Sequence, residues 1–255
     1  MLEIKGMSKS FGGISAISDL DMAIGQGEIA GLIGPNGAGK TTAFNLITGY
    51  LRPDKGVVLF NGEPITGQKP HSIAEKGIAR TFQDSAIFQN FSVIQNIIAS
   101  HHLRPKFGFW ESLFHTPSSR KKEEHILNQA LEIVKFLGLD GVKDQFARNL
   151  PQGYKRILGI AIAMATEAQI LLLDEPLSGM NAEEVDTAVA LIKKIRERRG
   201  ITIFLIEHNM RAAMSLCQRI IVLEMGRKIA EGTPEEVRTN KKVIEAYLGT
   251  GKNAA

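Results

Sequence analysis

The sequence predicts an α/β protein with a mostly parallel sheet, because short apolar runs of strand type alternate with helical segments along much of its 255 residues. Two observations support this prediction. A glycine-rich loop, residues 34–41, lies between an apolar run and a helix. Two later apolar runs end in the polar pairs Asp174-Glu175 and Glu207-His208, as at the carboxyl edge of a parallel sheet.

The first part of the chain contains strand-like segments separated by glycine turns at 12–13 and 25–27. The expected strands cover residues 2–7, 20–24, 28–33 and 57–60. A helix follows the glycine-rich loop and ends near Gly49, and Asn61-Gly62 is typical of a hairpin turn.

From about residue 84 to residue 166 the pattern is helical, and this segment is expected to be a subdomain inserted into an α/β core formed by 1–83 and 167–255. Helices are predicted there over 93–103, 120–137 and 153–165, and 107–119 is expected to be irregular. The later core is expected to have strands over 170–173, 202–206 and 220–223 and helices over 182–199 and 211–216. Thr233 and Pro234 predict the start of a further helix, with Thr233 as its N-cap.

Composition excludes several classes of protein. A single cysteine, Cys217, rules out an intrachain disulfide, and we expect it to be a small buried hydrophobe. The net charge of +4 is weak evidence for nucleic-acid binding, so no such partner is predicted. The N-terminus lacks the features of a signal peptide, and the most apolar run, 157–165, is too short to cross a bilayer. We therefore expect a soluble protein without direct membrane insertion.

The loop Gly34-Pro35-Asn36-Gly37-Ala38-Gly39-Lys40-Thr41 is a complete G-x-x-x-x-G-K-[ST] motif. Its glycines let successive backbone N–H groups point into one hollow, and the following helix adds partial positive charge there. Lys40 is expected to reach the β- and γ-phosphates, and the Thr41 hydroxyl is placed to bind Mg²⁺. The motif therefore predicts binding of a nucleoside triphosphate.

Three polar side chains at strand ends supply candidate chemistry. Asp174 is expected to hold Mg²⁺ through its water shell, and Glu175 to polarise the water that attacks the γ-phosphate. His208 is expected to donate a hydrogen bond to that phosphate.

Two further residues each have two possible interpretations. Gln83 could coordinate Mg²⁺ or orient water, or be an ordinary glutamine at the boundary of the helical segment. Phe11 could stack on an adenine ring or pack in the core.

Together and in this order, the motifs resemble those of the ATP-binding subunits of ABC transporters, over essentially the whole chain. Residues 150–156, LPQGYKR, fall where that family has its Leu-Ser-Gly-Gly-Gln signature, and 176–181 resemble its D-loop. Phe11, Gln83 and His208 match the A-, Q- and H-loops. The stretches 80–83, 107–120 and 243–249 are most similar to ATPase subunits of branched-chain amino acid importers.

The resemblance implies a single ABC ATPase domain over residues 1–255. Its core would be of the P-loop NTPase type, with a mostly parallel sheet, an N-terminal antiparallel β-subdomain and an inserted helical subdomain. It also implies ATP and Mg²⁺ as cofactors and ATP hydrolysis as the activity. The nucleotide-contacting residues would be Phe11, Ala16, Gly34, Pro35, Asn36, Gly37, Ala38, Gly39, Lys40, Thr41 and Thr42, with Leu150, Gln152 and Gly153 contributed across a dimer. The catalytic residues would be Glu175, His208, Gln83 and Lys40, and the metal-contacting residues Thr41, Gln83 and Asp174.

The same resemblance implies partners and a location. Two cassettes, identical or sister chains, would close head to tail around two ATP molecules and drive a separate membrane permease. Gln83 and the helical segment would contact that permease at the cytoplasmic face of the inner membrane. The aromatic residues Phe107, Phe109 and Trp110 could join this contact or pack within the subdomain.

Departures from the family pattern concern the signature. Pro151 and Gln152 stand in place of its serine and first glycine. In the helix after the signature, Ile162 stands where an arginine is usual. Because proline has no backbone N–H, the usual phosphate contact from that residue is lost. We expect a variant site that still functions through Gly153 and the following helix.

Two other functions compete with transport. Soluble ABC-type ATPases of translation or DNA repair usually carry paired cassettes or a long coiled-coil insertion, whereas this sequence has one phosphate-binding loop and no long heptad run. A regulatory switch without transport is disfavoured by Asp174, Glu175, His208 and the signature-like segment. The resemblance favours amino acids as the transported solute and leaves urea, amides and other small solutes open.

Overall fold

The structure is a computed structural model that describes residues 1–81, 87–102 and 117–248. The described chain forms two sheets and the helices around them. Every helix in these residues is too short or too polar to span a bilayer.

The smaller sheet is antiparallel and confirms the N-terminal β part. Its strands, in the spatial order β2-β1-β4-β5, are β1 (Leu2–Phe11), β2 (Ile14–Ile24), β4 (Lys55–Phe60) and β5 (Glu63–Pro64). β1 and β2 are longer than predicted, because their pairing continues through polar residues as far as the turn at Gly12-Gly13. Asn61 and Gly62 both have positive φ in the β4–β5 turn, as a hairpin turn of this kind requires.

The larger sheet is mostly parallel and has the order β10-β9-β3-β8-β7-β6. Its strands are β3 (Ile29–Ile33), β6 (Ile78–Arg80), β7 (Ile170–Asp174), β8 (Thr202–Ile206), β9 (Arg219–Glu224) and β10 (Arg227–Gly232). β10 alone is antiparallel to its neighbour among these strands. β6 and β10 were not predicted, because β6 has three residues and β10 is mostly polar.

The helices agree with the predicted alternation. They are α1 (Lys40–Ile47), α2 (Pro70–Glu75), α3 (Val93–His102), α4 (Pro117–Leu137), α5 (Gln152–Ala165), α6 (Ala182–Arg199), α7 (Met210–Leu216), α8 (Pro234–Thr239) and α9 (Lys241–Leu248). Thr233 caps α8 as predicted, with its side chain accepting the N–H of Glu236. α2 and α9 were not predicted as separate helices. The prediction that 107–119 is irregular was wrong for 117–119, which belong to α4. Phe107, Phe109 and Trp110 lie outside the described residues.

The core has two parts, one on each face of the larger sheet. Side chains alternate along β7, so Leu172 packs with the antiparallel sheet and α1, where the Phe44 and Phe204 rings lie 5.0 Å apart. Leu173 faces the opposite way, into a cluster that continues through Leu158 to α3 and α4. The division into a core and a helical subdomain at residues 84 and 166 remains a prediction.

Cys217 is buried beside Gly31, as predicted. Its Sγ would lie 2.7 Å from a Cβ at position 31, so the strand needs glycine there. Burial raises the pKa of the Cys217 thiol to about 12, which keeps it protonated and unreactive.

Candidate functional site

Several of the predicted functional residues lie at one edge of the larger sheet. β3, β8 and β7 are neighbouring parallel strands, so their carboxyl ends lie side by side. The glycine-rich loop follows β3, Asp174 ends β7, and Glu207 and His208 follow β8. This edge brings together segments that are up to 174 residues apart in the sequence, from Gly34 to His208.

The glycines of the loop at 34–39 are required by close backbone approaches. Gly34 has φ 152°, and a Cβ there would lie 2.1 Å from the carbonyl oxygen of Leu223. Gly39 has φ 99°, and a Cβ there would lie 2.6 Å from the carbonyl oxygen of Ala16. No side chain of the described residues caps α1 at Gly39, so its first amides are available to an anion.

Lys40 is the first residue of α1, and only 5% of it is exposed. Its Nζ donates to the carbonyl oxygens of Gly34 (2.8 Å) and Pro35 (2.9 Å), within its own loop. Burial lowers the pKa of Lys40, and the negative charges of Glu175 and Asp174 partly offset that effect. The ammonium is therefore a cation held inside the loop, where a phosphate would replace the carbonyl groups as its partner.

Glu175 and His208 form a direct pair between the ends of β7 and β8. Nε2 of His208 lies 2.7 Å from Oε1 of Glu175, and both side chains are partly open to solvent. Glu175 has φ 50°, a left-handed conformation that costs a residue with a Cβ about 1 kcal/mol. Its N–H donates to the carbonyl oxygen of Ile206 at 3.0 Å, which holds the carboxylate at the sheet edge.

The residues predicted for the metal fit Mg²⁺ in the way that nucleotide sites use it. Asp174 is a nearly buried carboxylate, and Thr41 is exposed at the start of α1. Among the described residues no group of three or more His, Cys, Asp or Glu could hold a metal ion. Mg²⁺ commonly takes one or two protein ligands and completes its shell with phosphates and water. Gln83 lies outside the described residues.

Glu207, just before His208, is buried, with 3% of its surface exposed. Its Oε1 accepts the N–H of Leu177 at 3.0 Å, and its Oε2 accepts the N–H of Asn209 at 3.5 Å. Burial raises its pKa above the usual value, although these backbone N–H groups favour the charged form. Glu207 thus joins the loop after β7 to the loop that carries His208. From the sequence, Glu207 was recognised only as one member of the polar pair that follows the apolar run of β8.

We expect Glu207→Gln to remove a pH-dependent cost to stability. Since the folded-state pKa lies above the unfolded one, ionisation opposes folding, and stability falls as pH rises from the unfolded pKa through the folded pKa. The wild type should therefore lose free energy of unfolding relative to the variant as the pH rises above about 4.5, where the carboxyl group begins to ionise in the unfolded chain. Urea unfolding across this range measures the difference. Glu197→Gln, at an exposed position on α6, is the control, and equal slopes for both variants would contradict the prediction.

Phe11 and Ala16 flank the loop from the antiparallel sheet. Phe11 ends β1 and is 45% exposed, which excludes the alternative that it packs in the core. The Nζ of Lys9 lies 5.5 Å from the centre of its ring. Ala16 is half-buried, and its carbonyl oxygen lies beside Gly39. An exposed ring at this position is free to stack on a base.

The signature-like segment lies against the loop after β7. Leu150 is buried, and Pro151 is the residue just before α5, which begins at Gln152. Gly153 is buried against Glu184, since a Cβ there would lie 3.0 Å from its Oε1. A Cβ at Gly179 would lie 3.5 Å from Cγ of Gln152. The segment is therefore in contact with the region that resembles a D-loop.

Comparison with known proteins agrees with this geometry. The ABC transporter family model matches residues 17–178, and a second model, described as a branched-chain amino acid ATP-binding cassette transporter, matches residues 227–253. The chain is 39% identical over 249 residues to the high-affinity branched-chain amino acid transport ATP-binding proteins BraF of Pseudomonas aeruginosa and LivG of Escherichia coli K12, covering 98% of each chain.

A solved structure shows the same fold. The ADP conformation of MJ1267, an ATP-binding cassette of an ABC transporter, has a TM-score of 0.86 and 30% identity and covers 98% of both chains. The site and fold define an ATP-binding cassette. The chain belongs to the ABC transporter family, as an ATP-binding and ATP-hydrolysing domain.

Proposed function

We propose that this chain is the ATPase subunit of an importer of branched-chain amino acids. The observation that carries the proposal is the 39% identity with BraF and LivG over nearly the whole chain. The separate match at residues 227–253 supports it, because it lies outside the part shared by ABC cassettes in general. The protein would act at the cytoplasmic face of the membrane, attached through its permease.

The nucleotide would lie along the edge of the larger sheet. Phe11 and Ala16 would contact its base and sugar. The backbone N–H groups of Asn36, Gly37, Ala38 and Gly39 would surround the phosphates together with Lys40, Thr41 and Thr42. Gly34 and Pro35, which has no N–H, would form the wall of the loop. Asp174, Thr41 and Gln83 would hold Mg²⁺, which when bound supplies positive charge to the phosphates.

Glu175 would act on the attacking water. In the structure its Oε1 lies 2.7 Å from Nε2 of His208, and this contact holds the carboxylate in one orientation. During hydrolysis Oε1 would take a proton from the water, while His208 would turn its N–H toward the γ-phosphate. Gln83 would help to place the same water. Glu207 would keep the loops of Glu175 and His208 at a fixed separation through its bond to Leu177.

Two cassettes would complete each site. Leu150, Gln152 and Gly153 would face the γ-phosphate bound by the other subunit. Pro151 has no N–H to offer that phosphate, so the amides at the start of α5 would make the contact instead. ATP contacts both faces only when the pair is closed, so its binding would shift the population toward the closed pair.

The permease would bind at an exposed aromatic surface on the helical side, formed by Phe88, Phe91 and Phe146. All three rings are more than 40% exposed, and the Phe88 and Phe91 ring centres lie 5.2 Å apart. Arg148 stacks on Phe146 at 5.1 Å and donates to Asn90. Exposed rings clustered beside an arginine are typical of protein interfaces.

The test of this function is ATP-dependent uptake by the complex. The chain would be purified with its membrane subunits, placed in vesicles with any required solute-binding protein, and offered labelled leucine, isoleucine, valine, urea or acetamide. We expect uptake of the three branched-chain amino acids and little of the others. Uptake of urea or acetamide alone would contradict the proposed solute, and a chain that has no membrane partner would favour a soluble ATPase.

The matched variants in this assay are Phe88→Glu and Leu127→Glu. Both residues are exposed, but Leu127 lies on α4, outside the proposed permease surface. Phe88→Glu should bind ATP normally and lose association with the permease, while Leu127→Glu should retain both. Equal uptake by the two variants would show that Phe88 does not contact the permease.

A further inference from the structure

Arg80 forms a buried ion pair with the acid predicted to hold the metal. Its Nη2 donates to Oδ2 of Asp174 at 2.7 Å, and the two side chains are only 6% and 10% exposed. Its Nη1 donates to Oδ1 of Asn45 on α1 at 2.6 Å. One guanidinium therefore joins the end of β6, the end of β7 and the helix that follows the phosphate loop.

Neighbouring contacts restrict this guanidinium further. Nη1 also lies 3.4 Å from Oγ1 of Thr48, and the group sits over the Phe44 ring, with Cζ 5.6 Å from its centre. The next residue, Thr81, accepts the N–H of Asp174 through its hydroxyl at 3.2 Å. Asp174 is thus held at its backbone N–H by Thr81 and at its carboxylate by Arg80, two consecutive residues at the end of β6.

Stability alone is a weak explanation for such a pair. Removing two charges from water is costly, and apolar residues of similar size often stabilise a core equally well. A carboxylate that contacts a metal's water shell, however, needs a fixed orientation. Partners that orient such ligands commonly change metal affinity or activity by about 10- to 100-fold when they are removed.

We propose that Arg80 is a positioning residue for the magnesium site: by holding Oδ2 of Asp174, it sets the direction of Oδ1 and hence the gain in nucleotide affinity that Mg²⁺ provides. The inference rests on the proposed MgATP site. It concerns orientation rather than charge, since a planar guanidinium reaches Asn45 and Asp174 at once, whereas a lysine ammonium has a single nitrogen.

The experiment measures the affinity of the purified chain for a non-hydrolysable ATP analogue, adenylyl imidodiphosphate, with excess Mg²⁺ and with excess EDTA. In both Arg80→Lys and Arg80→Met, the affinity gain due to Mg²⁺ should fall by about tenfold. The affinity in EDTA should stay within about twofold of wild type, because the contacts that Arg80 makes with Asn45, Thr48 and Asp174 lie outside residues 34–41. Arg198→Met, at an exposed position on α6, is the control.

The melting temperature of each variant distinguishes a loss of stability from a loss of orientation of the Asp174 carboxylate. Arg80→Met leaves the Asp174 charge buried without its cation, so the nucleotide-free variant should melt several degrees below wild type. Adding Asp174→Asn to Arg80→Met should restore most of that loss without restoring the Mg²⁺ gain.

The outcomes are distinguishable. If Arg80→Met keeps the wild-type Mg²⁺ gain, or loses affinity equally in Mg²⁺ and EDTA, the inference is overturned while the proposed function stands. If Arg80→Lys alone keeps the gain, charge rather than orientation is responsible, and the inference is again overturned. A wild-type chain that gains nothing from Mg²⁺ would overturn the proposed magnesium site itself.

Discussion

Glu175→Gln should bind ATP with nearly wild-type affinity and lose about 10²- to 10⁴-fold in turnover, the usual contribution of a general base. Glutamine keeps the size and one acceptor oxygen of glutamate, so the contact with His208 at 2.7 Å is preserved, but it cannot accept a proton from water. Because hydrolysis would no longer release the closed state, MgATP should convert the variant into a stable pair. Phosphate release and light scattering after gel filtration measure the two effects.

Glu197→Gln, at an exposed position on α6, is the matched control for this experiment. It should hydrolyse ATP at the wild-type rate and show no added pairing. Undiminished hydrolysis by Glu175→Gln would exclude Glu175 as the base. Lost turnover without a nucleotide-dependent pair would instead contradict the proposed two-cassette site.

Lys40→Ala should lower affinity for ATP by roughly 10- to 100-fold, the value of one or two charge-assisted hydrogen bonds in a sheltered site. The loss should be largest for ATP, smaller for ADP and slight for AMP, because Nζ is expected to contact the β- and γ-phosphates. Titration calorimetry with the three nucleotides measures this order. The fold should tolerate the change, since burial already disfavours the charge of this lysine.

Lys55→Ala, at an exposed position at the start of β4, serves as the control and should bind all three nucleotides normally. An equal loss for ATP and AMP in Lys40→Ala would indicate a damaged loop rather than a lost phosphate contact. Unchanged ATP affinity would refute the assignment of residues 34–41 as the phosphate-binding loop.

The sequence predicted the parts of the fold that depend on local pattern. The phosphate-binding loop, the helix from Lys40, the α6 helix and the central strands have strong signals, because apolar runs and glycine motifs directly reflect burial and backbone geometry. β6 and β10 were not predicted, because their sequences carry no such signal. Three residues are too few to show a period, and the polar residues of β10 lie at the sheet edge.

The sequence predicted which residues belong to the candidate site, but it did not predict the contacts between them. Asp174, Glu175 and His208 were predicted as site residues because they follow apolar strands. The partners that hold them were not, because Arg80 is 94 residues from Asp174, and only the sheet order shows that β6 lies beside β7. Glu207 was overlooked as a positioning residue because burial of an acid cannot be seen in a polar pair at a strand end.

The turn between β9 and β10 ties the phosphate loop to the antiparallel sheet. The N–H of Gly226 donates to the carbonyl oxygen of Ala38 at 3.0 Å, and the carbonyl oxygen of Gly226 accepts the N–H of Ser18 at 2.8 Å. Gly226 thereby links the phosphate loop to β2 of the antiparallel sheet. A Cβ on Gly226 would lie 2.6 Å from the carbonyl oxygen of Ala16, so the position requires glycine. The spacing between the proposed base-binding and phosphate-binding ends is consequently built into the protein before any nucleotide arrives. ATP and ADP would therefore enter with the adenine in one place and be told apart only at the far end, where the third phosphate is present or missing.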